Sequence, residues 1–205
     1  MDIINFVLHI DSYISLFIQN FGIMTYAILF FIIFLETGFV LTPFLPGDSL
    51  LFVVGAFAAG GELNVIILLI SLSIAEIFGD TVNYWIGHYI GKKIIKRNLI
   101  KEKYLVKTRS FYEKYGNKTI VLARFVPIVR TIAPFVAGLG TMQYPSFLSY
   151  NVIGGILWVL IFVLAGFFFG NIPAVQENLT LVLLIIIILS IIPAIIEYVK
   201  HKKKI

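Results

Sequence analysis

The sequence contains no cysteine. Disulfides, thiolate metal sites and a cysteine nucleophile are therefore excluded. Histidine is scarce: His9, His88 and His201 lie too far apart in sequence to suggest a metal cluster. No lysine or arginine precedes Lys92. The first apolar stretch, flanked by Asp2 and Asp11, thus lacks the basic start and small-residue cleavage site of a secretory signal. Charge is missing altogether from residues 148–170 and 179–196. No surface interleaves basic and aromatic residues in a way that argues for nucleic acid.

What is present is apolar. Hydrophobic residues make up 60% of the 205, where soluble domains average about 45–50%. Mean hydropathy is +0.98. Such a chain is expected to be solvated by lipid. All 16 basic residues fall at or after Lys92, mostly at 92–118 and 200–204. Their position suggests two membrane-edge segments, since basic loops favour the cytoplasmic side.

Segment by segment, residues 3–18 suggest an amphipathic or short membrane helix. Residues 23–61 are apolar apart from Glu36, Asp48 and the break Thr42-Pro43-Phe44-Leu45-Pro46-Gly47. Proline removes a backbone donor and clashes with the preceding turn, so no straight helix runs through it. Residues 65–91 exceed the roughly 20 needed to span and carry Glu76 and Asp80 one turn apart. Residues 92–118 suggest a basic helix on the membrane surface. Residues 119–145 are apolar but broken by Pro127, Pro134, Gly138 and Gly140, and they carry Arg124 and Arg130. Residues 146–170 and 179–199 are expected to span.

Parity constrains the topology. If 92–118 and the C-terminal tail are both cytoplasmic, the three apolar segments between them cannot all cross. The broken 119–145 is the segment expected to enter and return. By the same logic the break at 43–47 dips in from outside. Two opposed re-entrant helical hairpins, each followed by a spanning helix, would form an inverted repeat. The expected fold class is all-α integral membrane, in a single domain.

A charge at the centre of a membrane helix costs roughly 2.5–3.5 kcal/mol on insertion scales. Glu36, Asp48, Arg124 and Arg130 sum to zero, so pairing across the two hairpins is expected to hold them. Backbone freed at re-entrant tips survives only where it is buried in protein or lines a cavity. Gly47 allows a close turn after Pro46, and the planar fork of arginine suits phosphate oxygens. The tips together are expected to form a midplane site for an anionic head group. Pro43, Pro46, Gly47, Pro127, Pro134 and Gly138 would set hairpin geometry. Glu76, Asp80, Tyr84, Asn151 and Trp158 are candidates for support, though residues such as the last two more often satisfy packing than bind ligand.

The motifs resemble those of a known family. Glu36-Thr37-Gly38 with Pro43-Phe44-Leu45-Pro46-Gly47-Asp48 is similar to the first signature of the DedA family, the SNARE-associated or VTT-domain membrane proteins. Gly79-Asp80, Tyr84 and Ile86-Gly87 fit its next helix. Phe111 to Gly116, Arg124-Phe125-Val126-Pro127, Arg130, Pro134, Ala137-Gly138 and Met142 resemble its second signature, continued by Asn151, Gly154 and Trp158. The resemblance implies two opposed re-entrant hairpins and a relation to eukaryotic lipid scramblases. It implies movement of undecaprenyl phosphate or phosphatidylethanolamine across the bacterial cytoplasmic membrane, dependent on the proton-motive force. It also implies that Glu36, Asp48, Arg124 and Arg130 are functional residues; charge counting suggests that Glu36 and Asp48 couple protons and that Arg124 and Arg130 bind the head group.

The leading expectation is a flippase that recycles undecaprenyl phosphate. Its partners would be a membrane lipid and protons, with a second copy of the chain as a further candidate. No cofactor or metal is expected. A phosphatidylethanolamine or general phospholipid flippase is the near alternative. A proton-coupled ion or drug antiporter is the alternative of another class, though it has no special use for paired arginines. A lipid phosphatase would need a histidine or a metal-binding acid cluster, and neither is evident, so an enzyme is not expected.

Overall fold

The computed structural model describes residues 10–39, 47–97, 99–100, 102–176, 182 and 185. Pro43, Pro46, most of the 179–199 span and the basic tail lie outside the described residues. The described regular structure is helical. In chain order it comprises α1 (Ile10–Phe21), α2 (Met24–Gly38), α3 (Gly47–Ala59), α4 (Val65–Lys96), α5 (Glu102–Tyr115), a 3₁₀ turn (Gly116–Lys118), α6 (Thr119–Ala123), α7 (Pro127–Val136), a π turn (Ala137–Thr141), α8 (Tyr144–Gly170) and α9 (Pro173–Gln176).

Two helices, α4 and α8, are long and apolar enough to cross a bilayer. They are also dressed for one. Ile66, Ile70, Ile74 and Phe78 form an exposed stripe along α4, and Ile153, Ile156, Leu157, Ile161 and Phe168 are exposed along α8. Exposed apolar area of this extent marks a surface that meets lipid or protein rather than water. Asn64 starts α4: its Oδ1 accepts from the backbone N–H groups of Ile66 (2.9 Å) and Ile67 (3.2 Å), which satisfies donors left open at a helix start. The helix continues to Lys96, past the expected end at 91, because Ile94 and Ile95 still pack against the core. Lys93 and Lys96 then meet the negative end of the helix dipole.

Chain contacts divide the protein into two units. The first comprises Met1–Ile28, Pro46–Leu69 and Leu160–Ile205. Within it α3 meets the end of α8 backbone to backbone. A Cβ added at Gly55 would strike the Val163 carbonyl, and one at Gly166 would strike that of Phe52. A Cβ at Gly170 would lie 2.8 Å from the Cα of Ala56.

The second unit comprises Leu29–Leu45 and Ile70–Val159. It repeats the same contact. A Cβ at Gly138 would strike the Tyr84 carbonyl, one at Gly87 that of Phe135, and one at Gly91 the Leu139 side chain. In each unit a glycine on the shorter partner faces the carbonyl three positions before a glycine of the long helix, and the relation is reciprocal. A small residue four positions on, Gly91 or Gly170, extends the seam. Small-xxx-small seams let backbones approach where no hydrophobic force draws helices together.

The broken segment of the second unit follows from its prolines. Val126 is extended (φ −123°, ψ 100°), as expected for the residue before Pro127. Pro127 then opens α7, where its missing N–H is of no consequence. Short α6 packs against α7 across this break. Pro134 stands inside α7, and the π turn ends at Gly140, whose φ of 108° suits glycine. Helix α5 buries Leu105, Thr108 and Tyr112. The basic residues Lys103, Lys107, Arg109 and Lys114 are exposed. The Tyr112 hydroxyl donates to the Ala133 carbonyl (2.9 Å). Burial, aided by the charge of Asp80, pushes that phenol up, so it remains a neutral donor.

A buried ion network in the second unit

Helix α4 places Glu76, Asp80, Asn83 and Gly87 on one face, opposite its exposed apolar stripe. Among the described residues the buried charged side chains are Glu36 (1% exposed), Glu76 (0%), Asp80 (3%), Arg124 (3%) and Arg130 (8%). All five belong to the second unit.

Arg124 leaves the chain at the turn between α6 and α7. Its guanidinium pairs with Glu76 and with Asp80, the latter at 2.9 Å. It also donates to the Oδ1 (2.6 Å) and backbone carbonyl (3.2 Å) of Asn151 on α8. Asn151 in turn donates to the Ile77 carbonyl at 3.0 Å. Arginine, two acids and an asparagine therefore join three helical segments. The glycines of α8 make the room. A Cβ at Gly154 would come within 2.6 Å of the Arg124 Nε, and one at Gly155 would fall on the Glu76 Oε2.

Arg130 sits in the first turns of α7. It pairs with Glu36 of α2, and its guanidinium lies 4.9 Å from the centre of the fully buried Trp158 ring. A cation over an indole face is attracted by the ring quadrupole. Asn83 binds this pair together from behind. Its Nδ2 donates to the carbonyls of Thr37 (3.1 Å) and Thr131 (2.8 Å), the neighbours of Glu36 and Arg130. Asp80 lies within electrostatic reach of both Arg130 and Glu36, so the two ion clusters communicate.

The expected site residues are distributed as follows. Glu36, Glu76, Asp80, Arg124, Arg130, Asn151 and Trp158 come together. The expectation that only Glu36 and Asp48 neutralise the arginines is corrected for Arg124, whose partners are Glu76 and Asp80. These acids stand on a helix adjacent to the break, so they reach Arg124 without crossing to another hairpin. Asp48 opens α3 in the first unit and is partly exposed. Tyr84 does not join the ions; its hydroxyl donates to the Met142 carbonyl (2.9 Å) and its ring lies 4.6 Å from that of Phe147. Gly138 serves the helix seam. Asn83 and Gly155 were not singled out in the sequence. The available signal was position: Asn83 falls on the face that carries Glu76 and Asp80. Among the described residues no three acidic or histidine side chains are grouped to hold a metal ion.

A VTT domain is recognised over residues 45–168. The chain is 54% identical to protein DedA of Escherichia coli K12, over 98% of this chain and 94% of that protein. It is 42% identical to a membrane protein of Mycobacterium leprae, over 80% of this chain and 75% of the relative. It is 34% identical to the inner membrane protein YqjA of Escherichia coli K12, over 73% and 70% respectively. No solved structure matches the chain. With a VTT domain across most of its length and near-complete alignment to protein DedA, this chain belongs to the DedA family of membrane proteins.

Proposed function

We propose that the protein moves a lipid with an anionic phosphate head group across the bacterial cytoplasmic membrane, with undecaprenyl phosphate as the favoured cargo and the proton-motive force as the bias. The observation that carries this reading is the Arg130 guanidinium, buried in an apolar unit, paired with Glu36 and set over the Trp158 ring. A phosphate can replace the carboxylate at a planar fork without leaving the cation unneutralised. Protonation of Glu36 would release Arg130 to the head group. Loss of that proton on the other side would restore the ion pair and expel the lipid. The membrane potential contributes about 2.3 kcal/mol per charge per 100 mV, enough for one proton to bias direction.

The roles of Arg130 as head-group ligand and Glu36 as proton-coupling acid belong to this reading, as does coupling by Asp48. Arg124, held by three side chains, is read as the fixed member of the pair. The reciprocal glycine seams in the two units support an inverted repeat, with residues 23–61 and 119–145 as opposed re-entrant hairpins. In this orientation the basic α5 and the C-terminal tail face the cytoplasm.

The test is transport in proteoliposomes, with labelled undecaprenyl phosphate in one arm and labelled phosphatidylethanolamine in the other. Wild-type protein is expected to move the polyprenyl phosphate faster, and a pH gradient to change the rate. Arg130→Ala is expected to lower it at least tenfold, and Arg130→Lys to recover only part. Equal movement of either lipid by Arg130→Ala and wild type would remove the head-group role. Indifference to the gradient would remove the coupling.

A further inference from the structure

Among the described residues, the buried charges of the second unit do not balance. Glu36, Glu76 and Asp80 carry three negative charges if all are ionised, whereas Arg124 and Arg130 carry two positive ones. Arg130 is matched by Glu36. The excess falls on Arg124, one guanidinium facing two carboxylates one turn apart. An uncompensated ion in a low-dielectric interior costs several kcal/mol even after relaxation. Arginine cannot correct this by titrating, since it keeps its charge in proteins. A second, independent feature points to the same place. The Glu76 Oε2 is fully buried, has no hydrogen-bond partner among the described residues, and faces the bare backbone of Gly155. An anionic oxygen that accepts no hydrogen bond from the described residues is costly in such a place, and a neutral carboxyl suffers far less there.

We propose that Glu76 and Asp80 hold one proton between them at neutral pH, forming a proton site distinct from Glu36. The proton comes from water and resides on one carboxyl oxygen, leaving the other carboxylate to balance Arg124. The charged and titratable groups that face this site are Arg124 from the α6–α7 turn, Arg130 from α7, Glu36 from α2 and Tyr112 from α5. An anionic head group that neutralised Arg130 would remove a positive charge within reach of Asp80, tightening the hold on the proton. Lipid and proton would then favour each other's binding. This coupling deepens the transport reading and rests on it; the protonation itself does not.

The test is infrared spectroscopy of the full-length protein in lipid nanodiscs, reading the carbonyl stretch of protonated carboxyl groups and its deuterium shift. Folded wild type at neutral pH is expected to show the band. Glu76→Gln and Asp80→Asn are each expected to abolish it, because either substitution leaves one carboxylate for Arg124. Both single variants should unfold thermally close to wild type. The double variant should unfold markedly lower, because Arg124 is then unbalanced. Absence of the band in folded wild type, which needs no variant, would overturn the proposal and would include the case of a bound metal cation. Persistence of the band in both single variants would overturn it equally. If the band behaves as expected but the protein moves no lipid, the proton site stands and the transport reading fails. If wild type moves lipid and shows no band, the reverse holds.

Discussion

Asn83 makes two hydrogen bonds that no other described side chain duplicates. One amide group joins the backbone beside Glu36 to the backbone beside Arg130. Asn83→Ala leaves both carbonyls buried without this donor, at about 1–3 kcal/mol for each unsatisfied group. The expected outcome is a lower Tm in detergent together with transport impaired beyond what the stability loss explains, since the Glu36–Arg130 geometry is set through these bonds. Asn83→Asp should not rescue it, because a carboxylate has no donor to offer. Measuring Tm and transport for both variants checks this. At this scale the sequence was informative about which residue types matter and less so about partners. A charge in an apolar run announces itself, and all five buried ions were visible that way. Partnership was not visible, because Arg124 reaches acids on α4 that the charge count had set aside as support. Gly155 was invisible as a site residue: its contribution is the absence of a side chain where Glu76 needs space.

Proline and glycine made the elements legible. Pro127 predicts the break after Arg124, and Val126 adopts the extended conformation that a following proline imposes. Gly60 and Gly61 close α3 where the composition changes. The end of α4 was harder, because lysines entering at 92 look like a membrane edge while Ile94 and Ile95 continue the helix. Gly87/Gly91 and Gly166/Gly170 have a small-xxx-small spacing that many membrane helices share. Their meaning appears only when each seam is seen to be reciprocal, Gly87 with Phe135 and Gly138 with Tyr84, Gly166 with Phe52 and Gly55 with Val163. Equivalent seams should respond equivalently. Gly87→Leu and Gly166→Leu each drive a side chain into a carbonyl, and overpacking of this kind costs about 1–3 kcal/mol or more where backbone must move. Both variants should therefore lose Tm by similar amounts, whereas Gly60→Leu, whose Cβ would meet only the Phe57 carbonyl at an ordinary 3.5 Å on an exposed turn, should not. Thermal unfolding of the three variants is the measurement. A large loss at one seam with none at the other would argue against their equivalence.

For the whole molecule, the seams suggest a shift of 79 positions between the long helices, from Gly87 to Gly166 and from Gly91 to Gly170. Under that shift Glu76 corresponds to Gly155 and Asp80 to Val159. Glu76 and Asp80 therefore have no acidic counterpart on α8, and Gly155 leaves the space that Glu76 fills. The membrane topology that follows can be tested cleanly, because the chain has no native cysteine to remove. Asn64, Ser110, Lys118, Gln143 and Asn171 are all exposed. If α4 and α8 span and 119–145 enters and returns, single cysteines at Ser110, Lys118 and Gln143 should react with a membrane-impermeant maleimide only after the cytoplasmic face is opened. Cysteines at Asn64 and Asn171 should react in intact spheroplasts. The decisive pair is Lys118 and Gln143, which flank the broken segment. Labelling of both from one side requires a hairpin, because a single crossing by 119–142 would put them on opposite faces.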